Sequence, residues 1–474
     1  YLSPDPPLQY PALGPEQNAL WVDFIGWIRW SRVDCARRGM QMIRQTQSDI
    51  QIDLMAPDAY EDGIKQLAQE YGGNFKNTGY MGAFWADNLP SHMRSAGLPF
   101  SLEPGGPAQN VEEFKKQLGL WHTEGIQGID YFIHIGSILW NPEIKAHFEK
   151  TLTMIRMIGK YHPPTSEVAF FWGTENKAMV GFPWGDDPDV NLPSGYNCKG
   201  IGNDLLWRGW PRDIVSESDF GNGNASRYKV VIDTNTSILD EDMLKRIEDY
   251  VRGGGVFVTF AQTGRHTPTI PDSWPISRLT GYEVMSWDHP NSKEGSIPQP
   301  VSPAPGQEVY PEAAPWMDAN RVGLRLKKIA PEAQNLLLWK DGTVAAGMRP
   351  LGDGQIVHFG LRNGGSTWLQ VAPEAFEAIL TWKNVERTPA HFETERNGDR
   401  LLMRHYLTNN GLYDVWSIWN QDSGASIEAT LIFDDTSPDR AIEVETGRQV
   451  SFPAGRLADM HFEPLQTRYY LTPG

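Results

Sequence analysis

Short apolar runs and amphipathic stretches alternate along the first third of the chain. Each apolar run is followed by a longer stretch in which apolar residues recur at helical spacing. A strand followed by a helix, repeated in this way, is typical of parallel βαβ units. The pattern predicts strands at 50–55, 78–85, 98–102 and 128–135, and helices at 21–44, 60–71, 89–96, 111–123 and 144–160, after a loop at 1–17.

Such units build either an open doubly wound sheet or a closed (β/α)8 TIM barrel. None of the predicted strands leads into a GxGxxG or GxxxxGK[ST] loop, so a nucleotide-binding sheet has no support. Four units precede the Pro163-Pro164 pair, whereas a barrel needs eight. We therefore predict that 1–163 form the C-terminal half of a TIM-barrel catalytic domain, with a small open sheet as the alternative.

The pattern changes twice more along the chain. Strands and a helix predict a second α/β domain over 164–388, in which the Pro-, Ser- and Gly-rich stretch 267–315 is a loop. From about Pro389, apolar alternation between turn signals predicts a small β-sandwich over 389–474. The main predicted elements of these two domains are strands at 228–232, 256–260, 335–339, 355–359, 401–407, 413–419, 427–433 and 468–471, and a helix at 240–252.

Composition excludes several functional classes. The formal net charge of -17 is spread along the 474 residues, which leaves no basic stripe for nucleic acid or for an anionic membrane surface. No apolar stretch is long enough to span a bilayer. The two cysteines have no CxxC spacing. We expect a soluble protein without cofactor; the chain opens at Tyr1 without Met, so the compartment, cytoplasmic or periplasmic/secreted, stays unassigned.

The carboxyl ends of the predicted strands carry the candidate chemistry, because catalytic side chains of parallel barrels lie there. In chain order these ends present Asp53, Trp85 with Asp87, Glu103 and His134. Tryptophan, of which the chain has 18, stacks on sugar rings as readily as it fills cores. The sequence thus favours a carbohydrate site without deciding it.

Glu103 is the most informative of these residues. It follows the apolar run 98–102 and precedes the turn Pro104-Gly105-Gly106-Pro107. The strand would hold the carboxylate, and the glycines would leave space above it for a substrate. A glycosidase nucleophile needs this arrangement. A loop glutamate that caps the next helix is the alternative.

A family resemblance agrees with this interpretation. The segment 99–104 (PFSLEP) resembles the seventh-strand nucleophile segment of glycoside hydrolase family 42, the β-galactosidase family. Four further segments resemble that family's trimerisation domain, which has a glutamine-amidotransferase-like α/β fold: 204–213 (DLLWRGWPRD), 228–232 (YKVVI), 250–256 (YVRGGGV) and 263–265 (TGR).

The resemblance implies a retaining β-glycoside hydrolase of β-galactosidase type that works by double displacement through a glycosyl-enzyme on Glu103. It also implies a homotrimer and a β-glycoside or oligosaccharide substrate. The acid/base glutamate of the family ends the fourth strand, which the resemblance places before Tyr1. We expect this residue outside the chain, on a segment or second chain that completes the barrel; Glu16, in a predicted loop, is a weaker candidate.

Four residues are predicted to line the substrate site: Trp85, Trp140, Asp53 and His134. The alternatives are rim packing for the tryptophans, helix capping for the aspartate and a satisfied core position for the histidine. The histidines have no spacing suited to a catalytic metal, and none is predicted.

Two other functions stay open. One is a retaining hydrolase of another β-glycoside, such as a β-mannoside or an agar-type galactoside. The other is a non-catalytic carbohydrate-binding or scaffold protein. An active amidotransferase is excluded, because the predicted strand 256–260 runs into Ala261-Gln262-Thr263-Gly264 without the required cysteine.

Overall fold

The structure is a computed structural model in which part of the chain is described. The described residues are 15–50, 52–55, 62–79, 98, 100–104, 110–123, 128–129, 141–173, 205, 208–233, 236–287, 299–310, 323–361, 373–393, 400–434 and 438–474.

The first region contains a four-stranded sheet whose strands are all parallel and pair in chain order. This order is the one expected of consecutive βαβ units. Its elements are α1 (Pro15–Thr46), β1 (Asp53–Met55), α2 (Asp62–Tyr71), β2 (Asn74–Gly79), β3 (Phe100–Pro104), α3 (Val111–Thr123), β4 (Gly128–Ile129) and α4 (Pro142–Ile158). The two-residue strand β5 (Tyr161–His162) follows.

The second region is built on a mixed ten-stranded sheet. Its central parallel strands are buried at every position, as expected where both faces of a sheet are covered. The elements are β6 (Val168–Phe171), β7 (Asp213–Val215), α5 (Glu217–Gly221), β8 (Val230–Asp233), α6 (Glu241–Arg252), β9 (Val256–Thr259), α7 (Ser277–Thr280), β10 (Tyr282–Trp287), β11 (Val301–Pro303), β12 (Leu324–Lys328), β13 (Gln334–Trp339), β14 (Val344–Leu351), β15 (Gly354–Phe359) and α8 (Pro373–Trp382).

The third region is antiparallel and consists of a three-stranded and a six-stranded sheet. Its strands are β16 (Ala390–Phe392), β17 (Leu401–Thr408), β18 (Tyr413–Asn420), β19 (Ile427–Phe433), β20 (Arg440–Glu443), β21 (Arg448–Ser451), β22 (Arg456–Phe462) and β23 (Thr467–Pro473). The edge of the larger sheet is β5, which pairs with β17 and so ties the end of the first region to the third.

Buried clusters cross the borders between regions. The largest joins Ile64 and Leu67 of α2 and Phe114 of α3 to the β6 and β8 strands. A smaller cluster joins the end of α4 to Tyr406 and Tyr469 of the antiparallel sheets. Among the described helices, none is both long and apolar enough to cross a membrane.

Several element boundaries differ from the sequence-based predictions. Helix α1 starts at Pro15, inside the predicted N-terminal loop, because proline is well tolerated in a first helical turn. Strand β2 starts at Asn74, four residues before the predicted strand, because its polar residues conceal it from hydrophobicity. The predicted loop 267–315 contains α7, β10 and β11. The predicted helix 89–96 lies outside the described residues.

Candidate active site

Glu103 lies at the carboxyl end of an interior strand. Its strand, β3, pairs with β2 on one side and β4 on the other, and Glu103 is in register with Thr78 near the end of β2. Parallel pairing on both sides restrains the backbone of the residue. Since the carboxyl ends of parallel strands form one edge of the sheet, Glu103 stands at the edge where barrel enzymes carry their catalytic groups.

Asp53 lies at the other edge, which corrects the sequence-based prediction. It is the first residue of β1, and it is in register with Asn74, the first residue of β2. Asn74 precedes Thr78 by four residues, so Asp53 is displaced from Glu103 by roughly 13 Å along the strands. The apolar run that begins at Ile50 made the strand look complete at Asp53, whereas β1 only begins there. Asp53 therefore does not border a site around Glu103.

The other predicted site residues, Trp85, His134 and Trp140, lie outside the described residues, as does Asp87. Their proposed roles stay predictions. Glu16 is placed by the structure in the first turn of α1, not in the predicted loop.

Asparagine caps fix the helices that follow β3 and β4. Asn110 Oδ1 accepts the backbone N–H of Glu113 at 2.9 Å, at the start of α3. Asn141 Oδ1 accepts from the backbone N–H groups of Glu143 and Ile144 at 3.0 and 3.2 Å, at the start of α4. Such caps satisfy helix donors that would otherwise lack partners. Both helices therefore begin at fixed points beyond the strand ends.

Arg44 holds the opposite edge of the sheet together. From the last turn of α1, its guanidinium donates to Tyr71 O at 2.6 and 3.1 Å, where α2 ends. It also donates to Ser48 O at 3.1 Å and to Ile50 O at 2.5 Å, just before β1. A cation at a helix C-terminus satisfies carbonyls that have no intrahelical partner. One side chain thus fixes both helix ends and the approach to β1.

A buried ionic cluster joins α2 to the second region. Lys65, wholly buried, has its Nζ 2.8 Å from Asp219 Oδ2, 3.2 Å from Asp62 Oδ1 and 2.5 Å from Ser216 Oγ. Asp62 also accepts from Ser218 N at 2.7 Å and from the Ser216 hydroxyl. Asp62 and Lys65 belong to α2, whereas the other three residues lie at the start of α5. The cluster therefore fixes α2, and β2 after it, against the second region.

The electrostatics of the cluster indicate a structural role. Burial alone lowers the pKa of Lys65, but attraction to Asp62 and Asp219 outweighs it, and the pKa ends above its ordinary value. A permanently protonated lysine cannot act as a base toward Ser216, and the buried cluster offers no access to substrate. Local sequence gave no signal for it, because its carboxylates come from segments far apart in the chain.

Among the described residues, no group of three or more His, Cys, Asp and Glu side chains is arranged to hold a metal ion. The chemistry at the strand ends is therefore considered from the carboxylate of Glu103 alone.

No protein-family model matches the sequence, and no curated protein matches it. Solved structures do match. A catalytic mutant of a GH42 beta-galactosidase from G. stearothermophilus is 14% identical, with a TM-score of 0.70 over 96% of this chain and 69% of that one. A beta-galactosidase from the Antarctic haloarchaeon Halorubrum lacusprofundi is 16% identical, with a TM-score of 0.63 over 99% and 70%.

An exo-carrageenase of GH42 from Bacteroides ovatus is 11% identical, with a TM-score of 0.56 over 96% of this chain and 56% of that one. The chain is thus structurally related to GH42 beta-galactosidases and shares their α/β fold with mixed sheets. It spans about seven tenths of the length of the two beta-galactosidases.

Proposed function

We propose that this chain is a large part of a retaining β-glycoside hydrolase of β-galactosidase type, with Glu103 as its nucleophile. One observation carries the proposal. Glu103 ends an interior parallel strand, in a chain that matches GH42 beta-galactosidases in fold along 96% of its length. A carboxylate on such a strand is held where a sugar could bind above it.

The proposed reaction is a double displacement. The Glu103 carboxylate attacks the anomeric carbon, a C–O bond to the enzyme forms, and the bond to the leaving oxygen breaks as an acid protonates that oxygen. The same acid, now a base, takes a proton from water, which cleaves the glycosyl ester and releases the sugar. Retention requires the two carboxyl groups to be about 5–5.5 Å apart.

The sheet itself supports a partner segment that completes a barrel. Strands β1 to β4 pair in chain order, and α2 and α3 connect β1 to β2 and β3 to β4. Right-handed crossovers in this order place all connecting helices on one face. Because parallel sheets are buried on both faces, the other face needs a cover. Four further strands, from an upstream segment or a second chain, would cover it and supply the acid/base glutamate.

The substrate and the assembly are proposed with less detail. The substrate is a β-glycoside or oligosaccharide, with Trp85, Trp140 and His134 as proposed contacts. The likeness to an exo-carrageenase favours an agar-type galactoside as the alternative substrate, next to a β-mannoside. A homotrimer through the second region follows from the sequence resemblance.

A non-catalytic carbohydrate-binding or scaffold protein is the second candidate function. It is favoured by one feature of the sequence: no predicted strand end offers a second carboxylate suited to act as the acid/base. Such a protein would keep the fold and bind sugar without forming a covalent intermediate.

A 2-deoxy-2-fluoro-β-galactosyl fluoride separates the two functions. Fluoride leaves without protonation, so Glu103 should form the glycosyl ester even where no acid is present. We expect mass spectrometry to find one added fluorosugar, mapped to the peptide that carries Glu103. In the complete enzyme, Glu103→Gln should lower hydrolysis of aryl β-galactosides by at least ~10³-fold, because an amide cannot act as the nucleophile.

Glu112→Gln is the matched control, since Glu112 is an exposed residue of α3 paired only with Lys116. It should leave both labelling and hydrolysis unchanged. Absence of labelling with fluorosugars of the galacto, gluco and manno series would refute the nucleophile and favour the non-catalytic protein.

A further inference from the structure

A second cavity lies in the second region, away from the strand ends of the first. Its volume is about 560 Å³, within the range of ligand sites in proteins. It opens between the loop after β11, the strands β13 to β15 and the last residue of α8. No residue of the first region lines it, so it is distinct from the proposed catalytic site.

One wall of this cavity is held rigid. The Gln307 side chain accepts from Tyr310 N at 2.8 Å and donates to Tyr310 O, which closes the loop on itself. The Tyr310 hydroxyl donates to Ala375 O at 3.2 Å, near the start of α8. Trp382, which ends α8, lines the same cavity. The loop and the aromatic residue are thus joined through one helix, and the site is preformed.

Several polar groups meet in the cavity with bonding capacity left. Gln355 Oε1 is buried and accepts no hydrogen bond within the described part of the chain. Asn335 Oδ1 accepts from the Tyr282 hydroxyl at 3.0 Å, which directs its amide NH2 group elsewhere. The Trp382 indole adds an aromatic surface with an N–H donor. Apolar side chains such as Met348 complete the lining.

These groups specify the chemistry of a ligand. Lys328 and Glu308 both line the cavity, and their charges offset each other, so an ionic ligand gains little. Side-chain amides donate and accept at once, which suits hydroxyl groups, and an indole suits the apolar faces and hydroxyls of a sugar. A neutral ligand rich in hydroxyls meets all of these conditions.

We propose that this cavity is a second carbohydrate site, which binds a neutral oligosaccharide through Gln355, Asn335 and Trp382 without cleaving it. The proposal is independent of the hydrolase proposal, because it depends on the walls of this cavity alone. A protein with an inactive first region would still bind here.

The test is isothermal titration of the full chain with β-1,4-galactotriose and with cellotriose. We expect at least one to bind, and we expect Gln355→Leu and Trp382→Phe each to weaken that binding at least tenfold. Gln449→Leu, the same change at an exposed glutamine of β21, should leave it unchanged. Fluorosugar labelling of Glu103 should be equal in all three variants, which separates this site from the first.

No binding of either trisaccharide to the wild-type chain would overturn the proposal. So would binding that survives Gln355→Leu, since the sugar would then lie elsewhere. Thermal unfolding of each variant identifies a folding defect. If Trp382→Phe unfolds, because its ring also contacts the core, Gln355→Leu still decides the outcome.

Discussion

At the scale of single residues, His358 is a buried histidine that folding keeps neutral. It lies at the end of β15, opposite Thr259 of β9, with its Nδ1 2.8 Å from Thr259 Oγ1. Burial lowers the pKa of His358 to about 4, from an ordinary value of 6.5. The imidazole is therefore neutral in the folded chain at a pH where the unfolded chain binds a proton.

The free energy of unfolding should therefore depend on pH through this residue. Its contribution is fully present above pH 6.5 and is lost as the pH falls toward 4, by about 3 kcal/mol. His358→Asn, which cannot take up the proton, should remove that loss. Urea unfolding at pH 7 and pH 4 measures it. His162→Asn, at an exposed histidine, should keep the wild-type dependence; an unchanged dependence in His358→Asn would contradict the assignment.

Sequence could place Glu103 but not Asp53. The strand of Glu103 was predicted nearly in register, because an apolar run and a Pro-Gly turn mark its end. Asp53 also follows an apolar run, but that run leads into the strand instead of forming it. Only the pairing of Asp53 with Asn74 fixes its height in the sheet, and pairing depends on residues distant in sequence.

At the scale of elements, α3 packs directly on the third region through a glycine. A Cβ built on Gly119 would overlap the indole of Trp419, which is a buried residue of β18. The helix can approach this strand only because Gly119 has no side chain. Gly39, in α1, has open space around its Cα.

The two glycines should therefore respond oppositely to alanine. Gly39→Ala should stabilise the chain by about 0.5–1 kcal/mol, because alanine has the better helix propensity. Gly119→Ala should destabilise it by about 1–3 kcal/mol, because overpacking outweighs that gain. Urea unfolding of both variants measures the two changes. A stabilised Gly119→Ala protein would show that α3 does not rest on Trp419.

Elements with strong local patterns were predictable and those fixed by pairing were not. Helix α6 was predicted within a residue, since Asp240 caps it through Met243 N at 2.7 Å and glycines follow Arg252. The short strands β10 and β11 were predicted as loop, because they pair as antiparallel partners of β12 and β13. Their own residues show little alternation.

At the scale of the whole molecule, the three regions share buried surfaces. One cluster crosses from α2 and α3 into the second region, and another crosses from α4 into the antiparallel sheets. The Lys65 cluster adds a buried ionic contact between the first two regions. The sequence separated the regions by composition, but it could not reveal these contacts, because each joins segments far apart in the chain.

These shared surfaces predict one cooperative unfolding transition. Ile158→Ala, at the end of α4, removes a side chain that packs against the antiparallel sheets. It should lower the free energy of unfolding of the whole chain by about 2–4 kcal/mol. Differential scanning calorimetry should show one peak that moves as a unit. Met157→Ala, at the exposed neighbouring residue, should have little effect; two peaks of which only one moves would indicate independent regions.

The pairing of β5 with β17 has a consequence for synthesis. The β17 edge carries unpaired backbone donors and acceptors until the Tyr161–His162 strand, made much earlier on the ribosome, lies against it. An uncovered edge is a template for another chain. The first region thus shields the last one from strand exchange between molecules, and it can do so only after the intervening domain has brought the two together.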